Sequence, residues 1–457
     1  MNGKQSNGHK VNSTPLLGSN GAGPLREALN RAVAGSEYGM GELTVLAVQN
    51  DPYRVDTPAG HRDAAWFTSQ IGRFVANSRI HLRGLHYQVA SAADVELPNG
   101  RLYTNTDEDW TWLQAKAAKA ARWLGYVPFD RIVDQRNSAP QIHVPEVVSP
   151  EPVWEPGEGV WVPHSAEDAM PRPVCRFPVN QPYRIIMIGE KASLDSVLLP
   201  VVKEVGGELL LPTGEISETL VADMAARVAT DGRPAVVFYF SDFDPSGNQM
   251  AVSVSRKLQA LRDLLYQDLA MELYPVALTL EQVREYGLPS TPLKESERRA
   301  DRWREAMGHE QTEIDAMIAL QPRALRQIAR DAIAPFYDPS LEGRTKEASE
   351  AWHEEAEERM RSHPAYQEAL LRLESALDAL RGSARETATD AVAAFEAIQR
   401  GIAEELAATI LVPPVVLPEP NYDVSCAPRP LFTCDEEYVT ATRRLIDHKQ
   451  LNGEERE

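Results

Sequence analysis

The chain has 457 residues and a formal net charge of −20, from 47 Lys and Arg against 67 Asp and Glu. At about 150 residues per domain, this length implies two or three domains and ample material for a full hydrophobic core. Apolar residues make up 43% and charged residues 25%, which excludes collagen-like, wholly disordered and disulfide-scaffold chains. No run approaches the ~18 apolar residues of a membrane helix. The opening, rich in Gly, Ser and Asn, has no apolar h-region and does not read as a secretory signal. A cytoplasmic location is therefore expected. The three cysteines, Cys175, Cys426 and Cys434, are too few for a disulfide framework and read as reduced thiols. As a mean, −20 opposes nucleic-acid binding, because phosphate contacts want Lys and Arg.

In chain order, residues 1–23 are polar and read as a disordered tail. Residues 24–143 read as a mostly helical folded region, with a strand expected at Leu43–Val48. Asp107–Leu124 has the pattern of an amphipathic helix opened by acids and closed by Gly125. Residues 144–176 are dense in Pro and Glu, which favours an extended linker. Its tryptophans, Trp154 and Trp161, are candidates for packing on a neighbouring domain. Residues 177–340 change rhythm. The apolar runs RIIMIG, GELLLP, AVVFYF and LYPVAL alternate with helical stretches, the pattern of an α/β parallel sheet with crossover helices. Beyond about Thr279 the chain is helical and Arg-bearing. Residues 341–457 read as an acidic helical region, broken at Pro364 and Gly382, followed by an extended arm from Leu411. The breaks fit an antiparallel helical hairpin or short coiled coil.

Two acidic features carry chemistry. The run VVFYFSDFDPSG leads from a strand into Asp242 and Asp244, two residues apart. Strand exits of a parallel sheet are where ligands sit, and Mg²⁺ usually takes one or two carboxylates together with waters and phosphate oxygens. Glu190 ends the earlier strand in IIMIGEKAS, so three acids can share one rim. The alternative reading is local: an Asx-type turn capping a helix, with Glu190 as a helix N-terminal acid.

A strand ending in Glu, followed by a second ending in DxDPxG, resembles the Toprim fold. With the Glu190–Lys191 pair, it is most similar to the A subunit of topoisomerase VI, relative of the transesterase that makes meiotic double-strand breaks. The resemblance implies Mg²⁺ held by Glu190, Asp242 and Asp244 against DNA phosphates. It also implies an N-terminal winged-helix-like domain, here residues 24–143, that carries a nucleophilic tyrosine. The segment HLRGLHYQVAS offers Tyr87 with Arg83 one helical turn earlier, on a face separate from Leu82, Leu85 and Val89. A phenol, with pKa about 10, needs a neighbouring cation or base to attack at neutral pH, and Arg83 can supply that charge. Two departures stand out: Gly84 replaces the family's acid and His86 its first aromatic. His86 is either a base or a space-filling residue, and Tyr103 is a second candidate nucleophile.

Lys116, Lys119 and Arg122 lie near one helix face and are candidate phosphate contacts. So are Arg298, Arg299 and Arg302 in PLKESERRADRWREAM. HEQTEIDAM, with Glu313 and Asp315, resembles the family's Glu-x-Asp/Glu-Ala segment. The expectation is an Mg²⁺-dependent, nucleoid-associated enzyme cutting double-stranded DNA as a homodimer. No GxxxxGK[ST] loop is present, so strand passage would need a separate GHKL-type ATPase subunit. The alternatives are a hydrolytic Toprim nuclease and a non-catalytic DNA-binding or assembly subunit. The charge is uneven: residues 1–145 hold 15 basic against 13 acidic residues, whereas 341–457 hold 13 against 24. The excess of acid thus lies largely away from the expected DNA-handling segments.

Overall fold

The runs Arg184–Gly189 and Ala235–Phe240 are buried along their whole length, the pattern of inner strands covered on both faces. The computed structural model of the protein describes residues 23–47, 50–75, 79–133, 137–155, 164–294, 297–383 and 388–452. The expected tail through residue 22, Val48 and Trp161 lie outside them.

Eight strands occur among the described residues: β1 Gln141–Ile142, β2 Val153–Glu155, β3 Arg172–Val174, β4 Arg184–Gly189, β5 Glu208–Leu210, β6 Ala235–Phe240, β7 Met271–Ala277 and β8 Phe432–Thr433. Six of them form one sheet in the order β1-β5-β4-β6-β7-β8. The inner four are parallel, and the two edge strands are antiparallel to their neighbours. Crossover helices Asp195–Val205, Glu218–Asp231 and Pro245–Leu264 connect the parallel strands. The α/β expectation therefore holds at the level of a mixed, mostly parallel sheet. From β4 the chain crosses to β5 on one side, then returns to β6 on the other. The exits of β4 and β6 consequently flank the topological switch point, where open α/β sheets place their ligands.

The sheet's core joins Ile186, Ile188, Val237 and Tyr239 to Val252, Leu258 and Leu261 of the long crossover helix. Each such aliphatic side chain contributes roughly 1.5–3 kcal/mol on burial. The same core takes in Leu25 and Leu29 of helix Pro24–Ala34, and Leu445 and Ile446 of helix Tyr438–Leu451. The segment after residue 423 is therefore no free arm. It adds β8 beside β7 and lays its amphipathic helix on the sheet's core. Leu43–Ala47 forms turns rather than the expected strand. Its apolar residues Leu43, Val45 and Leu46 fill the same core, and tertiary burial overrides strand propensity there.

Helices between Pro58 and Trp123 enclose a second core of Phe67, Leu85, Val89, Leu113 and Ala121. Helices Pro58–Phe74 and Leu82–Ala92 lead to Asp107–Trp112, which passes through a π-turn at Leu113–Ala117 into Ala118–Trp123. Thr106 caps the third helix by accepting from the Asp109 N–H, and Gly125 follows its end at φ 74°. Between the second and third helices, Val95–Leu97 and Arg101–Tyr103 pair as a short hairpin. This helical module and the sheet fall within one compact unit, which takes in the described residues up to 144, 182–336 and those from 423 to 452.

The second compact unit comprises residues 145–181 and 337–422. Helices Leu341–Ser362, Pro364–Ser383 and Ala388–Thr409 make most of it, with a break before Pro364; Gly382 lies within the second helix, and residues 384–387 lie outside those described. The Pro- and Glu-rich segment is more than a linker: β2 and β3 form an antiparallel ladder. Trp154, Ala169 and Met170 pack against Leu373, Leu377 and Ile402 of the hairpin helices. This unit holds 23 of the chain's acids against 10 bases. No helix among the described residues is long and apolar enough to cross a membrane.

Candidate functional site

The carboxyl ends of β4 and β6 bring Glu190 and Asp242 together. Pairing of Gly189 with Phe240 sets the register, and the next residues out are Glu190 and Ser241–Asp242. The Glu190 Oε2 accepts the backbone N–H of Asp242 at 3.0 Å. Asp244 is the N-cap of helix Pro245–Leu264, its Oδ1 accepting the Gly247 N–H at 2.6 Å. Gly247 is required by close approach: a Cβ there would lie 2.3 Å from the Asp242 carbonyl oxygen. Gly247 is the third residue of that helix, and its lack of a side chain lets the first turn pack on the Asp242 backbone.

The acids crowd one another. Partial burial, then the charges of Asp242 and Asp244, push the Glu190 carboxyl up to about 7. Burial also raises Asp242, against the hydrogen bonds that favour its charged form. Asp242 is engaged at both oxygens. Oδ1 accepts the Ile314 N–H at 2.8 Å, and Oδ2 lies 2.9 Å from Lys191 Nζ. The same ammonium reaches Glu313 Oε2 at 3.2 Å and Asp315 Oδ2 at 3.0 Å. Burial lowers the lysine pKa, but the hydrogen bonds to Asp242 and Asp315 outweigh that and hold the ammonium charged. The side chain of Tyr239 on β6 is buried, and its hydroxyl has no hydrogen-bond partner among the described residues. Its electrostatic neighbours are Glu190 and Glu215.

The expected three-carboxylate metal cage is therefore not assembled. Among the described residues, no three His, Cys, Asp or Glu side chains are grouped closely enough to hold a metal ion. Asp244 turns to its helix cap, and Lys191 supplies the positive charge beside Asp242. The donor chemistry nonetheless suits a hard cation. Glu190 and Asp242 share one rim, their mutual repulsion is incompletely neutralised, and Mg²⁺ usually needs only one or two carboxylates.

On helix Leu82–Ala92, Tyr87 is 50% exposed. The Arg83 guanidinium sits 5.6 Å from its ring and 4.5 Å from that of Trp110. The Arg83–Tyr87 face is solvent-facing, as the helical spacing predicts. His86 is a core residue: its Nδ1 meets the Tyr103 hydroxyl at 2.6 Å and its Nε2 meets Asn105 Oδ1 at 2.9 Å. Both ring nitrogens are thereby occupied, so His86 is not placed as a base for Tyr87. Tyr103 is 2% exposed, and burial followed by the Asp109 charge drives its phenol pKa upward. Both effects oppose its use as a second nucleophile.

The basic candidates divide. Lys116 is exposed, but Lys119 and Arg122 are buried. Arg122 lies 2.6 Å from Glu218 Oε2 and Lys119 lies 3.9 Å from Oε1. Burial alone would raise the Glu218 pKa, yet Arg122 and then Lys119 hold the carboxylate ionised. These two cations join the helical module to the sheet's crossover helix and do not form a phosphate face. The reason is the width of the helix's buried surface: Ala118–Trp123 is buried at every position. Arg298 and Arg302 are exposed. Arg299 instead ties the DxDPxG turn, donating to Pro245 O and Ser246 Oγ, each at 3.1 Å, and pairing with Glu297 at 2.8 Å.

One constellation had no sequence signal. Arg256, on the long crossover helix, is 1% exposed and donates to Asp51 at 3.1 and 3.2 Å. Its guanidinium lies 4.0 Å from the Tyr53 ring and bonds Thr442 at 3.0 Å and Tyr438 at 2.8 Å. It fastens the N-terminal and C-terminal segments to the helix that begins at Asp244. No protein-family model and no curated protein matches the chain.

Proposed function

We propose that this protein cleaves double-stranded DNA by transesterification, with Tyr87 as nucleophile and Mg²⁺ as cofactor. The observation that carries this reading is the meeting of Glu190 and Asp242 at the switch point between β4 and β6, where burial, and then the charges of Asp242 and Asp244, raise the Glu190 carboxyl to about 7. A perturbed carboxylate at a strand exit is the electrostatic mark of a site built for a cation or phosphate. The three helices and hairpin of residues 58–123 are compatible with a winged-helix module, and the sheet with a Toprim-like one. Half-exposed Tyr87 beside Arg83 supplies the nucleophile.

In this mechanism the Tyr87 oxygen attacks a backbone phosphorus and loses its proton to solvent. The bond to the 3′ oxygen breaks, leaving a free 3′ hydroxyl and a 5′-phosphotyrosyl link. Arg83 holds the attacked phosphate and favours the phenolate. A bound Mg²⁺ on Glu190 and Asp242, with Asp244 released from its cap, would supply charge stabilisation for the phosphoryl oxygens. A homodimer would cut both strands, and a separate ATPase subunit would be needed to drive strand passage. Arg298, Arg302 and Lys116 remain the candidate backbone contacts.

A second reading has its own observation. With His86 turned into the core, no base stands beside Tyr87 among the described residues, which favours hydrolysis by an activated water over tyrosine attack. Rapid denaturation of reactions on plasmid DNA in Mg²⁺ separates the two. Protein covalently attached to 5′ ends in wild type, and lost in Tyr87→Phe, supports transesterification. Nicking that survives Tyr87→Phe but not Asp242→Asn supports the hydrolytic reading.

A further inference from the structure

Lys191 stands out at the strand exits because one ammonium serves three carboxylates from two different elements. Asp242 follows β6, while Glu313 and Asp315 flank the start of helix Ile314–Leu320. The three contacts are not equivalent. The Asp242 side chain is 10% exposed, whereas those of Glu313 and Asp315 are 56% and 44% exposed. Lys191 thus bridges an inner acid and an outer, solvated pair. Its own backbone continues directly from Glu190, so the lysine and the strand-exit glutamate share one short segment.

We propose that Lys191 is a resident counter-cation which a divalent ion must displace from Asp242, its ammonium passing wholly to Glu313 and Asp315. The inference rests on the reading of Glu190 and Asp242 as cation ligands and deepens it. Two positive groups share the inner carboxylate only against their mutual repulsion, which is strong for charges a few ångströms apart in a partly buried site. The outer pair gives the displaced ammonium two partners within reach of the same side chain, so displacement exchanges one contact and does not strand a charge. Without the divalent ion, Lys191 offsets the charge of Asp242 and so part of the repulsion among the inner acids. Lys191 is therefore a positioning residue that sets the threshold for loading the site.

The test uses the full chain and Mn²⁺ as the probe, with affinity read by titration calorimetry and by the electron paramagnetic resonance of bound Mn²⁺. Lys191→Met should bind Mn²⁺ at least about tenfold more tightly than wild type, and adding Asp242→Asn should erase the gain. The double variant Glu313→Gln/Asp315→Asn keeps Lys191 but removes its alternative partners, and should bind several-fold more weakly than wild type. Melting curves should show Lys191→Met less stable than wild type in EDTA and more strongly stabilised by Mn²⁺. Unchanged or weaker binding by Lys191→Met, with wild type still binding through Asp242, overturns the counter-cation role and leaves the metal reading standing. Mn²⁺ binding by neither protein overturns both.

Discussion

Replacing Glu190 with Gln should stabilise the protein at alkaline pH in the absence of divalent ions. The carboxyl rises from an ordinary 4.5 to about 7. Because the folded value lies above the unfolded one, its stabilising contribution is fully present below about pH 4.5 and is lost as pH rises through about 7. That difference corresponds to an upper bound of about 3 kcal/mol of strain at pH 8, at ~1.4 kcal/mol per tenfold change. Glu190 is only partly buried, so solvent screening reduces this to about 1–2 kcal/mol. Glutamine is nearly isosteric, and its amide oxygen can still accept the Asp242 N–H. Urea unfolding in EDTA should therefore show Glu190→Gln more stable than wild type by ~1–2 kcal/mol at pH 8 and by a few tenths at pH 5. With excess Mg²⁺ at pH 8, the advantage should shrink or reverse, because only the carboxylate can ligate. A variant that is less stable than wild type at pH 8 in EDTA, or whose difference does not change with pH, would refute the burial and crowding of the Glu190 carboxyl at the β4 and β6 exits.

Other consequences follow from the same geometry. Asp51→Ala strands the buried Arg256 guanidinium and should cost about 3–5 kcal/mol in chemical unfolding, while Asp51→Leu combined with Arg256→Met should recover much of it. Gly247→Ala forces a Cβ to within 2.3 Å of the Asp242 carbonyl. It should cost roughly 1–3 kcal/mol and reduce divalent-ion affinity measured by calorimetry. Tyr103→Phe removes a buried partner of His86 and should cost about 1–3 kcal/mol. Tyr87→Phe, on an exposed face, should stay within ~0.5 kcal/mol of wild type in the same unfolding assay.

Legibility in the sequence followed physical locality. β4, β5, β6 and β7 were readable because buried parallel strands are short continuous apolar runs between helices. A helix after the DxDPxG turn was readable, with a capping Asp as the alternative reading, though it starts at Pro245, ahead of Gly247. What escaped was set by distant packing. Leu43–Ala47 has strand composition, yet its side chains are used to fill the sheet's core. Phe432–Thr433 is too short to announce an edge strand, and the Val144–Pro173 segment hides its ladder behind prolines. At the site, Glu190, Asp242 and the Arg83–Tyr87 face could be placed from spacing alone. The roles of Lys119 and Arg122 could not, because a basic helix face reads alike whether it meets solvent or a buried Glu218. The capture of Asp242 by Lys191 is likewise a tertiary outcome, whereas the capping of its own helix by Asp244 is local and matches the Asx-turn alternative. Only the adjacency of Glu190 and Lys191 hinted at that capture.

The measurement that bears most directly on the proposed activity is covalent trapping on supercoiled plasmid DNA with Mg²⁺, comparing wild type, Tyr87→Phe and Asp242→Asn. The account predicts protein linked to 5′ DNA ends in wild type alone, abolished by EDTA. A Tyr87→Phe protein that forms the same covalent link, or wild type that leaves the DNA intact in Mg²⁺ with or without an ATPase subunit, would contradict it.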